Sequence, residues 1–184
     1  MKTIEELVAQ VAKNAGVSKP APKPTPQKAA ESLKPSPQEV KEVPTPKKCG
    51  CTYKMTLEKA KKAAQAAEIA AEKLGIKVVV AICDEGANLV LLHAMDDSYI
   101  ASIKAAQDKA YTAVALKMPT HVALQQSRGG ALDGLTNGNG ILLLGGGFPL
   151  EGENKIYGGI GVSGGTKEQD IIVAAVAREI LTSL

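Results

Sequence analysis

The chain has 184 residues, 45% of them hydrophobic and 22% charged, with a formal net charge of +3; that is room for one domain and an appendage, and ordinary for a soluble fold. The charge is unevenly divided, because residues 1 to 54 carry ten lysines against five acids while the remainder is slightly acidic. Those lysines are interleaved with prolines, without arginine and almost without aromatic residues for stacking, so they read as a solvated tether rather than a nucleic-acid surface. No apolar run is long enough to span a bilayer, and Glu5 and Glu6 interrupt the apolar core that a secretory leader requires. The expectation is a cytoplasmic chain in which Cys49, Cys51 and Cys83 are thiols.

In chain order, residues 3 to 15 set Ile4, Leu7, Val8 and Val11 on one stripe of a short amphipathic helix, with Thr3 as its N-cap and Gly16 as its stop. Such a helix is marginal alone and gains stability by laying its stripe in a partner's groove or on its own domain. Residues 17 to 48 hold eight of the ten prolines, the composition of an extended, disordered linker. The domain proper begins near Thr56. Residues 57 to 74 are strong helix formers closed by Gly75, and residues 76 to 83 and 88 to 95 read as two strands joined through Asp84-Glu85-Gly86, hence antiparallel. A helix follows, opened by Ser98 and running to about Lys117; its small residues Ala101, Ala105, Ala106, Ala110 and Ala113 allow close approach to the sheet or to a second subunit. Met118-Pro119 breaks it, and Thr120 can cap a short helix through Gln126. The glycine-rich stretch 127 to 140 reads as a mobile or ligand-approaching loop. Further strands are expected at Ile141 to Leu144, Phe148 to Leu150 and Lys155 to Val162. Thr166 and Gln169 then form a capping box for a last helix over 167 to 183. This order gives an α+β fold with about five antiparallel strands flanked by helices.

Several residue groups invite chemistry. Cys49 and Cys51, beside Lys47 and Lys48 that favour thiolate, suit a metal, an iron-sulfur cluster or haem iron, though a full site needs more ligands. His93 in a strand and His121 at a helix start can each bind a metal or move protons, but no paired histidine spacing accompanies them, and rim or surface roles account for both. Asp84, Asp96 and Asp97 suit a carboxylate cluster or simply turn and cap duty. Gly159 to Gly164 satisfies G-x-G-x-x-G, yet the chain ends before the following strand and acidic residue that a dinucleotide site needs. Gly161 to Gly165 satisfies G-x-S-x-G, yet both histidines lie upstream of the serine. What survives is that the amides around Gly164, Gly165 and Thr166 can hold a carboxylate or phosphate. For an enzyme, Asp96 and Lys109 are the catalytic candidates, Lys109 as a base if it is desolvated.

The words VVVAICDEGANLVLLHAMDDSYIASIKAAQDKAYTAVALKMPT, GGGFPL and GGIGVSGGTKEQD, in that order, resemble the GlcG/HbpS family, which also supplies the C-terminal domain of PduO-type corrinoid adenosyltransferases. The resemblance covers about residues 55 to 184. It implies a profilin-like fold, assembly into dimers and higher oligomers, and binding of haem or a related tetrapyrrole such as a corrinoid in some members. The ATP-dependent adenosyltransferase activity belongs to another domain and is not carried over. In the PduO-type domain the resemblance implies a haem-ligating His near the domain's start, shared between subunits. Here residues 49 to 75 contain no His, leaving Cys49, Cys51 and Met55 at that end, so the implied ligand is Cys51 thiolate or a His93 pair across an interface. The helix of residues 1 to 16, the linker of 17 to 54 and the domain of 55 to 184 together resemble cargo of bacterial microcompartments, whose N-terminal encapsulation peptides bind shell or cargo proteins.

The combined expectation is an accessory cargo protein in the lumen of a bacterial microcompartment, homo-oligomeric, binding haem or a corrinoid in redox or cofactor maintenance. Ile4, Leu7, Val8 and Val11 would contact the shell or cargo partner. The alternatives are a small-molecule lyase, isomerase or reductase with an interface active site, and a non-catalytic cargo adaptor.

Overall fold

The structure, a computed structural model, describes Glu6, Gln10, residues 54–152 and residues 155–182. Glu6 and Gln10 are helical and exposed. The expected stripe of Ile4, Leu7, Val8 and Val11, the linker, and Cys49 and Cys51 lie outside the described residues.

The first helix, α1 (Leu57–Lys73), starts where Thr56 caps it, the Lys59 amide donating to Oγ1 at 3.3 Å. It ends through Gly75 at φ +68, whose amide donates to the Glu72 carbonyl, the left-handed exit that glycine enters without penalty. Strand β1 (Val79–Asp84) and strand β2 (Leu89–Ala94) form the expected antiparallel hairpin. Its turn is held by Asp84, whose Oδ1 accepts from the amides of Gly86 and Asn88 at 2.9 Å. Helix α2 (Ile100–Leu116) and helix α3 (Thr120–Gln126) follow, then strands β3 (Gly147–Gly152) and β4 (Lys155–Ser163) and the last helix, α4 (Lys167–Thr182). The capping box forms: Thr166 N–H donates to Gln169 Oε1 at 2.9 Å and Gln169 N–H to Thr166 Oγ1 at 3.3 Å.

The described sheet has four strands, in the order β2-β1-β4-β3, all antiparallel. The fifth expected strand, Ile141 to Leu144, is not one, because its amides are spent elsewhere. Leu142 N–H donates to Thr112 Oγ1 and Leu143 N–H to Asn137 Oδ1, both at 2.8 Å, so no ladder is available to it. Two helix starts also differ from expectation. Tyr99, not Ser98, occupies the cap position of α2, and the Ser98 amide is committed to the Met95 carbonyl. Pro119 caps α3, which frees the Thr120 hydroxyl to donate to the Leu144 carbonyl at 2.6 Å and accept from the Gly147 amide at 2.9 Å.

Alternation along the central strands separates two layers of core. Val80 and Ile82 of β1, Ile160 and Val162 of β4, and Phe148 and Leu150 of β3 pack with α1 and α4. Val79, Ala81 and Cys83 face the other way, onto Ala106, Ala110 and Val114 of α2. The sheet is therefore sandwiched, α1 and α4 on one side and α2 on the other.

Glycine explains how close α2 comes. A methyl group at Gly161 would collide with the Ala106 carbonyl, and one at Gly159 would lie 2.8 Å from the Ala110 carbonyl. The alternating glycines of GGIGVSGG, which imitate two nucleotide and hydrolase motifs, are thus the seat of a helix of small residues. Cys83, buried in the same layer, has its thiol pushed up to about 11 by burial.

Candidate functional site

Lys109 is fully buried on the sheet side of α2, among Ala106, Ala110 and Ala113. Its Nζ donates to Asp170 Oδ2 at 2.7 Å and to the Val162 carbonyl at 2.8 Å. Burial pushes the Lys109 amine down and the Asp170 carboxyl up, each opposed by the charge of the other. An ion pair withdrawn from water in this way is held by its hydrogen bonds, and removal of either partner leaves a buried uncompensated charge. Gly146 completes the enclosure, since a side chain there would meet Nζ at 3.2 Å. Lys109 thus joins α2, β4 and α4. Asp96, by contrast, is exposed in the turn after β2, and the two catalytic candidates occupy unlike surroundings.

The same carboxylate accounts for Gly164 and Gly165. The Gly165 amide donates to Asp170 Oδ1 at 2.9 Å, and the Thr166 amide is taken by Gln169. The anion that this helix start holds is the chain's own Asp170.

His93 lies on β2, the edge strand on the α1 side. Its Nδ1 is 2.7 Å from Glu68 Oε1 of α1, with both side chains about one-third exposed. A carboxylate on one ring nitrogen fixes the tautomer and the orientation of the ring, the arrangement that holds metal-ligating histidines. Beside it a shallow cleft of about 280 Å³ is lined by Glu68, Glu72, Lys77, Ala94, Met95 and Asp96. The structure thereby brings His93 and Asp96 to one edge of the sheet. Met55, the other candidate ligand near the domain's start, is buried in the core.

His121 opens α3 with its ring tilted 56° against Phe148, centroids 5.6 Å apart. Its Nδ1 is buried without a hydrogen-bond partner. Burial, then the nearby Lys167 charge, holds its pKa below the ordinary histidine value, so the ring is neutral near pH 7. A second cleft, of about 330 Å³, lies at the other side of the sheet between Leu89, Lys104, Gln107, Asp108 and Tyr111 and the loop at Asn139 and Gly140. Among the described residues no group of three or more His, Cys, Asp or Glu is arranged to hold a metal ion, and no helix is long and apolar enough to cross a membrane.

Sequence reasoning missed Asp170 as the partner of Lys109, Glu68 as the partner of His93, and the Tyr111 cleft. The first had a signal. A lysine flanked by alanines three before and one and four after it sits on the small-residue face, and a buried ammonium demands a buried acid.

The family model described as "Haem degrading protein HbpS-like" matches residues 55–179. An uncharacterized 15.0 kDa protein of Citrobacter freundii, from the dhaT-dhaS intergenic region, is 41% identical over 133 residues, covering 71% of this chain and 94% of that protein. The corrinoid adenosyltransferase PduO of the same organism is 37% identical over 116 residues, 61% of this chain but only 35% of the enzyme. The crystal structure of a PduOC:heme complex superposes with a TM-score of 0.66 at 32% identity, over 69% of this chain and 94% of that one. The match of the family model across most of the chain, with the shared α+β architecture, shows that this protein belongs to the HbpS-like family.

Proposed function

We propose that this protein binds haem or a related tetrapyrrole as a homo-oligomeric accessory of a bacterial microcompartment, with His93 as the iron ligand among the described residues. The observation that carries the reading is the His93–Glu68 pair: Nδ1 is engaged at 2.7 Å by a carboxylate, which leaves Nε2 as the nitrogen for iron. Haem bound there would supply redox or axial-ligand chemistry at its iron. Glu68 fixes the imidazole, and Met95 beside the cleft offers an apolar surface for the macrocycle. The PduOC:heme relative supports the cofactor class. The cleft beside His93 is too shallow to enclose a macrocycle, which favours a ligand completed by a second subunit, either a paired His93 or Cys51.

The microcompartment assignment rests on the amphipathic stripe Ile4, Leu7, Val8 and Val11, its linker, and the likeness to PduO. A corrinoid is the second candidate ligand on the same likeness. The test is to add hemin, and separately cobalamin, to the full chain and to its His93→Ala and Cys51→Ala variants. A Soret band in the parent that is lost or displaced in His93→Ala bears the reading out. A ligand-free spectrum in every case overturns it, and dependence on Cys51 alone moves the ligand to the linker.

A further inference from the structure

The cleft of about 330 Å³ on the α2 side of the sheet is built from groups that the haem reading does not use. One wall is the part of α2 that carries Lys104, Gln107, Asp108 and Tyr111, and Ala87 and Leu89 of the β1–β2 hairpin add to the lining. The glycine-rich stretch 127 to 140, expected as a mobile or ligand-approaching loop, brings Asn139 and Gly140 to it. This end of the loop is tied down. Gly138 and Ile141 exchange backbone hydrogen bonds of 3.1 and 2.8 Å across Asn139 at φ +51 and Gly140 at φ +83, the two-residue turn that Asn-Gly favours. Buried Thr112 fastens the turn to α2, its hydroxyl accepting from the Leu142 amide at 2.8 Å and lying 3.3 Å from the Gly140 carbonyl. Gly140 in turn lies against Tyr111, where an added Cβ would stand 3.3 Å from the ring. Across the cleft, Ala87 at φ +61 keeps a methyl group in a conformation that glycine enters more cheaply, and that methyl packs on the core under α2. The lining is therefore set before any ligand arrives, which lowers the cost of binding one.

The chemistry of the lining selects by charge. Lys104 donates to Asp108, so the two charged residues of the cleft neutralise each other. Gln107 and Asn139 each bring a carboxamide, which both donates and accepts, and Tyr111 with Leu89 brings apolar surface. We infer that the cleft binds a neutral, polyhydroxylated small molecule of about monosaccharide size. Hydroxyl groups donate and accept as the two carboxamides require, and the C–H face of such a molecule covers the Tyr111 ring. A carboxylate or an ammonium in the cleft would meet the like charge of Asp108 or of Lys104 and compete for the other. The volume agrees: at about 30 Å³ of liquid per water, 330 Å³ holds roughly eleven waters, the space of a molecule with about a dozen non-hydrogen atoms. The site lies away from His93, on the other side of the sheet, and is independent of the haem reading.

The test is saturation-transfer difference NMR on the full chain without hemin. The probes are D-glucose and ribitol, with gluconate and glucosamine as anionic and cationic counterparts, and circular dichroism checks each variant. The parent should transfer saturation to a neutral probe and little to the charged ones. Gln107→Ala should raise Kd for that probe about three- to tenfold, the worth of one hydrogen bond, and Tyr111→Ala should raise it at least as much. Asp108→Asn, which leaves the Lys104 charge uncompensated, should move the preference toward gluconate, and His93→Ala should change nothing. Gln107→Ala and Asp108→Asn decide the matter should Tyr111→Ala not fold. No transfer to either neutral probe, transfer indifferent to Gln107 and Tyr111, a parent that prefers a charged probe, or binding lost in His93→Ala each overturn the inference.

Discussion

Helices α1 and α2 each span seventeen residues, are both rich in alanine, and lie on opposite faces of one sheet. They are finished differently. Helix α1 buries Ala60, Ala63, Ala64, Ala67, Ala70 and Ala71 against α4 and the sheet and turns mostly Lys, Glu and Gln to solvent. Helix α2 buries a polar anchor, Lys109, and leaves Ile100, Ile103 and Tyr111 outside. The first turns a mostly polar face outward, and the second a face that carries large apolar side chains. Their polar pairs differ in the same sense. Lys109–Asp170 is sealed from water, so it locks layers together, whereas Glu68–His93, joining α1 to the edge strand, is partly open and can present a ring nitrogen to a ligand.

The contrast is broken most severely at Lys109. Asp170→Ala should cost about 3–5 kcal/mol of unfolding free energy, measured by urea denaturation, because it strands a buried ammonium. Replacing both partners, Lys109→Met with Asp170→Leu, should cost less than the two single losses summed. A single substitution worth less than 1 kcal/mol, roughly the worth of an exposed pair, would mean that the pair is not the lock described. Gly161→Ala should cost about 1–3 kcal/mol as α2 is pushed off the sheet, a loss that thermal unfolding would register. Glu68→Gln, by comparison, should change stability by no more than about 1 kcal/mol and show itself in hemin affinity instead.

Two smaller effects sharpen the picture. The His121 pKa is depressed in the folded chain, so the unfolded chain takes up the proton first as pH falls. Stability is therefore full above the ordinary value of 6.5 and declines as pH drops below it toward the folded pKa. Urea midpoints at intervals between pH 7.5 and pH 5 should show that decline in the parent and less of it in His121→Phe. Cys83, with its pKa near 11, should resist alkylation at neutral pH until the chain unfolds, as peptide mapping after brief iodoacetamide treatment would reveal.

Much of the fold was legible where local chemistry is self-contained. Thr56 and Gly75 bracket α1, Asp84-Glu85-Gly86 announces the hairpin, and Thr166 with Gln169 starts α4; each signal lies within a few residues of what it controls. The failures came where distant groups decide. Ile141 to Leu144 has the apolar character of a strand, but Thr112 and Asn137 take its amides. Thr120 looks like a cap and serves instead as a bolt across to residues 144 and 147. In the candidate site, His93 was visible by type, but its carboxylate lies 25 positions earlier with no spacing to announce it. Gly164 and Gly165 were read as a seat for a bound anion, and in the structure the Gly165 amide donates to the chain's own Asp170, five positions on.

The most direct measurement is size-exclusion chromatography of the full chain with hemin, reading mass and Soret absorbance on the same peak for the parent and for His93→Ala. Soret absorbance should travel with a species of at least two 19.1 kDa chains in the parent, and the same mass should appear with the absorbance lost or displaced in the variant. Haem eluting on a single chain, or a band indifferent to His93, would contradict the proposed function.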